Sequence, residues 1–189
     1  MKKKPSHPIL LTLLILLIIT VVCDALIERK SNIILQGFFT NDDNNYFPAS
    51  QIQKEYKAQL NQKGKVVFED GLYIVPGSSK DYTTASASKV VAYIAAHELD
   101  FLVTTQSLVE HYSTGVTFED ITTYLPNDSS NYELIYGKDG NGEQKALAVN
   151  LNSSRLLKDK PQTASYYLFI PSTSYRKENV KAFLSYLFT

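Results

Sequence analysis

Three histidines, His7, His97 and His111, set the scope for acid–base and metal chemistry in this 189-residue chain. His97-Glu98 begins like the zinc-protease pattern H-E-x-x-H, in which two imidazoles on one helical face hold a metal and the glutamate acts as base. The position that needs the second imidazole is Phe101, so the two-ligand face is missing. Cys23 is the single cysteine, which excludes an intrachain disulfide and a cysteine-rich metal site. Serines are plentiful, yet no G-x-S-x-G elbow frames any of them as a nucleophile. Gly77-Ser78-Ser79-Lys80 follows an apolar stretch as a phosphate loop would, but it lacks the first glycine and the G-K-[ST] order and reads as a polar turn. Tyr132, Tyr136, Tyr166 and Tyr167 have rings that stack on sugars or peptides elsewhere, although tyrosine in extended segments ordinarily serves packing. The expectation is a protein without catalytic residues, metal or cofactor, hence a binding role rather than an enzyme.

Charge narrows the partners. Lysine plus arginine and aspartate plus glutamate each number 19, and no block of one sign follows Ser31, so no footprint for nucleic acid exists. The N-terminus is different. Lys2, Lys3 and Lys4 precede an apolar run from Ile9 to Ile27, interrupted by one charge, Asp24. A helix of that length reaches about 28 Å, close to the hydrocarbon thickness of a bilayer. The run predicts a transmembrane helix over 9–27 behind a cytoplasmic basic segment, 1–8. A cleaved signal peptide, with Cys23-x-Ala25 as a loose cleavage site, is the alternative, and lipidation at Cys23 fits less well because Val22 precedes it. Each version places the rest of the chain outside the cytoplasm, at the cell membrane, because the basic cluster stays inside. Residues 28–32 form a polar stalk and 33–189 a single extracytoplasmic domain.

The elements that must position any site follow from periodicity. Ile33-Ile34-Leu35 opens a buried strand ending at Gly37-Phe38-Phe39-Thr40, and the Asn/Asp cluster 41–45 is a loop. From about Phe47 to Leu60, Ile52, Tyr56 and Leu60 share a helical face, with Gly64 as the stop. Val66-Val67-Phe68 and Leu72-Tyr73-Ile74-Val75 form extended pieces split by Asp70-Gly71. Ala87, Val90, Val91, Ile94 and Ala95 follow the i, i+3, i+4, i+7 rule and predict a core-facing helix. Leu99 to Val103 reads as a third strand, Gln106 to Tyr112 as a helix, and Thr117-x-x-Asp120 as a capping box opening a short helix that Pro126 ends. Leu134–Tyr136 and Ala146–Leu151 flank Asp139-Gly140-Asn141-Gly142, a hairpin signal. A short polar helix at 153–157, a strand from Tyr166 to Ile170 and a last helix with Val180, Phe183, Leu184 and Leu187 on one face complete the chain. Alternating strands and helices predict an α/β fold of three layers, a parallel or mixed sheet with flanking helices.

The stretch from Lys89 to Val103, then Leu108–Tyr112, Gly115 and Phe118–Leu125, resembles part of the type 2 periplasmic substrate-binding proteins. There a helix ends in a small-residue turn, an Asp opens a hydrophobic strand, and an E-D-I-x-x-Y-L segment follows. Ile170-Pro171-Ser172-Thr173-Ser174 and the Val180–Leu187 helix are similar to the late strand, loop and helix of that family. His97 stands where such proteins commonly have glycine, and the chain beyond the apolar run is about half their usual length. The closest likeness is to reduced, single-pass, membrane-anchored proteins of Gram-positive bacteria. The resemblance implies a membrane-anchored solute- or partner-binding protein accessory to a transport system; the rival reading is a scaffold subunit of a membrane complex that binds no ligand. Ligands in such folds meet the loops at the carboxyl ends of parallel strands, here Thr40 and Asn41, Ser78 and Ser79, and Thr104, Thr105 and Gln106. Ordinary capping is the competing role for each of these side chains.

Overall fold

The computed structural model describes residues 11–22, 32–161 and 163–189. The chain divides into two compact units, 1–33 and 34–189. In the first, residues 11–22 are helical (α1), and leucine, isoleucine and valine side chains stand about half exposed all around it. No described helix is long and apolar enough to cross a membrane. The remainder of the expected span over 9–27, the basic segment 1–8 and residues 28–31 lie outside the described residues, so a full transmembrane helix is not among the elements seen.

The second unit is an α/β domain. Its elements are β1 (Ile33–Thr40), α2 (Ala49–Gln59), β2 (Lys65–Leu72), α3 (Asp81–Ala95), β3 (Phe101–Thr105) and α4 (Gln106–Ser113), followed by 3-10 turns at Ile121–Tyr124 and Ser129–Asn131. Then come β4 (Leu134–Lys138), β5 (Gln144–Asn150), β6 (Tyr166–Phe169) and α5 (Lys177–Phe188). One six-stranded sheet runs in the order β2-β1-β3-β6-β5-β4. β1 and β3 are parallel, whereas β6 is antiparallel to both β3 and β5, and β4 is antiparallel to β5. The N–H of Asn41 donates to the Leu72 carbonyl at 3.0 Å, so the carboxyl ends of β1 and β2 also meet.

Strand alternation sends side chains to two cores. Leu35, Phe39, Phe101 and Val103 pack with Ile52 and Tyr56 of α2 and Val180, Phe183, Leu184 and Leu187 of α5. Phe38 and Leu102 face the other way and pack with Val90 and Ile94 of α3 and Leu108, Val109 and Tyr112 of α4. The mixed sheet is therefore covered by helices on both sides. Gly37 is essential to the first core: it pairs with Phe101, and a Cβ there would sit 2.0 Å from the Phe101 ring. That ring then stacks on Phe183 at 4.8 Å.

Several expected boundaries change. β2 runs through Asp70-Gly71 instead of breaking there, and Asp70 turns its carboxylate to the Ala49 N–H at 2.7 Å, at the entry to α2. α2 starts at Ala49 rather than Phe47 and ends at Gln59 with Leu60 as its C-cap, close to the expected end, while β3 starts at Phe101, after Leu99 and Asp100. The buried stripe of α3 is Thr83, Ser86, Val90 and Ile94, and Val91 is 52% exposed. Val91 lies about 100° around the helix from Val90, just outside the stripe that faces the sheet. Asp120, not Thr117, caps the next turn by accepting the Thr122 N–H at 3.0 Å. Residues 153–157 form turns rather than a helix.

Candidate functional site

β1 and β3 are neighbours, yet the chain leaves them toward opposite faces, since α2 packs in one core and α4 in the other. Such a parting of connections is the switch point at which open α/β sheets bind ligands. Thr40, Asn41, Thr104 and Thr105 all lie there. Thr40 Oγ1 donates to Thr104 Oγ1 at 2.8 Å, with both residues fully buried. Asn41, at φ 57°, clamps Ile74 from both sides: its Nδ2 donates to the Ile74 carbonyl at 2.8 Å and its Oδ1 accepts the Ile74 N–H at 3.1 Å. The Tyr166 hydroxyl donates to the Asn41 carbonyl at 3.0 Å. Thr105 Oγ1 lies 3.2 Å from Ser107 Oγ. Thr40, Asn41, Thr104 and Tyr166 therefore spend their hydrogen bonds on joining β1, β3, β6 and the loop after β2, and Thr105 bonds locally at the start of α4.

Ser78 and Ser79 stand apart from that group. Ser78 Oγ accepts from the Lys80 N–H at 3.2 Å and from Thr83 Oγ1 at 3.0 Å, which closes the loop onto the start of α3, while Ser79 is exposed.

Gln106 differs from the other six. It opens α4 immediately after β3 and lines a cleft of about 380 Å³ between α4 and β4. Gln106, Glu110 and Ser113 form one wall, a polar stripe at i, i+4 and i+7, while Leu108, Val109 and Tyr112 on the reverse face are in the core. Residues 133–138 form the opposite wall, with Leu147 and Tyr167 between. Leu147 reaches the cleft through a bulge: Ile135 pairs with Ala148 and Tyr136 with Ala146, so Leu147 is the extra residue. Gly137 makes room for it, because a Cβ there would come 3.0 Å from Leu147 Cδ1.

Polar groups in the cleft are set by short contacts. Gln106 Nε2 donates to Glu110 Oε1 at 2.8 Å, and the Tyr167 hydroxyl donates to Glu133 Oε1 at 3.0 Å. Burial, and then the hydrogen bond to Glu133, raise the Tyr167 hydroxyl above its ordinary pKa, which keeps it a donor. Two glutamates against one lysine, Lys138, give the walls an acidic balance. This arrangement can hold a ligand by hydrogen bonds and charge.

Neither described histidine lines the cleft. His97 sits exposed at the end of α3 with φ 59°, and His111 is exposed with its ring 5.5 Å from that of Tyr112. Among the described residues no group of three His, Cys, Asp or Glu side chains could hold a metal ion. A second cleft, of about 450 Å³, lies against α2 and α5 and is lined by Glu55, Gln59, Arg155 and Tyr186, with the Arg155 guanidinium 4.3 Å above the Tyr186 ring.

Glu110, Glu133, Lys138 and Leu147 carry no motif that marks them in the sequence. The polar stripe Gln106-x-x-x-Glu110-x-x-Ser113 was available as a signal, but its opposing wall depends on where β4 falls in the sheet. No protein-family model, no curated protein and no solved structure matches the chain.

Proposed function

We propose that the chain is a membrane-anchored extracytoplasmic binding protein, a reduced relative of the type 2 substrate-binding proteins, whose ligand site is the cleft between α4 and β4. The observation that carries this reading is the position and size of the cleft. It begins at Gln106, directly after β3, and its volume of about 380 Å³ falls in the range of small-ligand sites, about 300–1,000 Å³. The parallel β1–β3 pairing, and Asp100 standing just before β3, support the family likeness. Lys2–Lys4 and the helix over residues 11–22, apolar on every side, support the anchor, since such a helix has no face suited to water.

The test is a melting-temperature screen of the full chain in detergent against amino acids, peptides, sugars and anions. A ligand that binds the native state alone adds RT ln(1 + [L]/Kd), about 2.7 kcal/mol at a hundred times Kd. Gln106→Ala should remove the shift while leaving the unliganded melting point in place, because Gln106 is exposed and bonds Glu110 on its own helix. Absence of any shift, together with a destabilised Gln106→Ala protein, would favour a scaffold subunit that binds no ligand. A reporter fused after Thr189 and active only outside the cytoplasm should be active.

A further inference from the structure

We infer that the free edge of β4, together with the cleft beside it, accepts an extended basic peptide segment as an added strand. This deepens the proposed function and rests on its placing of the ligand site in the cleft.

β2 and β4 are the two edges of the sheet, and they differ. Along β2, Gln53 Oε1 already accepts the Phe68 N–H at 3.0 Å, and Lys65, Glu69 and Asp70 place charge in the strand. Charged or capped edges of this kind resist pairing with another chain. β4 carries one charge, Lys138 at its end, and its middle, Ile135-Tyr136-Gly137, is uncharged. Its hydrogen-bonding parity is set at both ends: the Glu133 carbonyl accepts the Asn150 N–H at 2.9 Å, and the Asp139 N–H donates to the Glu143 carbonyl at 3.1 Å. Odd-numbered residues therefore face β5, and the N–H and C=O groups of Leu134, Tyr136 and Lys138 point outward. Among the described residues no side chain caps them.

An added strand would run about 4.8 Å from β4 and send alternate side chains to the two faces. One set falls on the Ile135 and Gly137 side, over the cleft, where Glu110 and Glu133 outnumber the single Lys138. Lysine or arginine at alternate positions of the peptide meets those carboxylates. The other set falls beside Tyr136, which is 64% exposed.

Fluorescence anisotropy of the full chain in detergent tests this with a labelled octapeptide alternating lysine and valine. An acidic counterpart alternating glutamate and valine, and two lysine peptides N-methylated on alternate residues in the two possible registers, complete the set. The basic peptide should bind at least tenfold more tightly than the acidic one. One N-methylated register should lose at least tenfold and the other should bind as before, because only one register turns its amides to β4. Glu110→Gln with Glu133→Gln should weaken the basic peptide at least tenfold, since both replacements keep the hydrogen-bond acceptors and remove the charge. Equal binding of both N-methylated registers, or no binding of the basic peptide, overturns strand addition. Self-association of the chain that Tyr136→Pro abolishes also overturns it, by assigning the edge to a second copy. If small solutes shift the melting point through Gln106 while the peptides fail, the cleft stands as a ligand site and the added strand falls. If both fail, the proposed function falls with it.

Discussion

Arg176 Nη1 donates to Asp100 Oδ2 at 2.9 Å, and both side chains are almost wholly shut off from solvent. The remaining acceptor positions of Asp100 take the Gln36 N–H at 2.7 Å and the Ser174 hydroxyl at 2.8 Å. One carboxylate thus ties β1, the entry to β3 and the loop before α5. Burial raises the Asp100 carboxyl above the usual carboxylate range, against the opposing pull of Arg176, Gln36 and Ser174.

Removing one partner of that pair is costly. Arg176→Leu should lower stability by about 3–5 kcal/mol in urea unfolding at pH 7, and Asp100→Asn added to it should recover part of the loss. The sign of the pH dependence follows from a raised folded-state pKa. A carboxyl held above its unfolded value of about 3.9 lets stability fall as pH rises from that value toward the folded pKa. Losing Arg176, which pulls the carboxyl down, raises it further, so the variant gains more than the wild type on acidification and the penalty of Arg176→Leu should shrink from pH 7 to pH 5.

Gly37 and Phe101 give a packing test. Gly37→Ala places a methyl group 2.0 Å from the Phe101 ring and should destabilise by about 3 kcal/mol or more. Combining it with Phe101→Leu should cost less than the sum of the two single changes, and a double-mutant cycle in urea measures the difference.

The face of α3 can be read from two substitutions, with one in α5 for comparison. Val90→Ala should cost about 2 kcal/mol and Phe183→Ala in α5 about 3–5 kcal/mol, since both side chains are fully buried. Val91→Ala should change stability by less than about 0.5 kcal/mol. A large loss at Val91 in chemical denaturation would contradict the orientation of the helix.

His97 occupies the left-handed position that ends α3, with φ 59°, and the Glu98 N–H closes back on the Tyr93 carbonyl at 2.9 Å. Glycine adopts that conformation without strain, and His97 is exposed. His97→Gly should raise stability by about 0.5–1 kcal/mol, the relief of strain exceeding the entropy glycine adds to the unfolded chain. Thermal unfolding at one pH is sufficient to see it.

The β4–β5 hairpin carries an acid-sensitive lock. Burial would raise Asp139, but Lys145 at 2.9 Å and the N–H groups of Asn141, Phe118 and Glu143 outweigh it and hold the carboxyl below its ordinary range. A depressed folded-state pKa contributes stability above the unfolded value of about 3.9 and loses it as pH falls through the folded value. Asp139→Asn should therefore destabilise at pH 7 and matter progressively less below about pH 4, as followed by urea unfolding across pH.

What the sequence determined by itself is mostly local. β1, α4, α5 and the β4–β5 hairpin follow from a continuous apolar run, helical spacing and the Asp139-Gly140-Asn141-Gly142 turn, because each of these signals acts between residues a few positions apart. The α/β class followed from the same patterns in series. Tertiary structure decided the rest. Whether Ser86 or Val91 faces the core depends on how α3 docks on the sheet, a choice that hydrophobicity alone gets wrong at Val91. The roles of Thr40, Asn41 and Thr104 depend on side chains brought together by strand pairing, which turns candidate ligand contacts into internal hydrogen bonds. The cleft exists because the order β3-β6-β5-β4 sets a late hairpin opposite the helix that follows β3. Strand order is fixed by long-range pairing and by the burial of two faces at once, and no short window of sequence contains either.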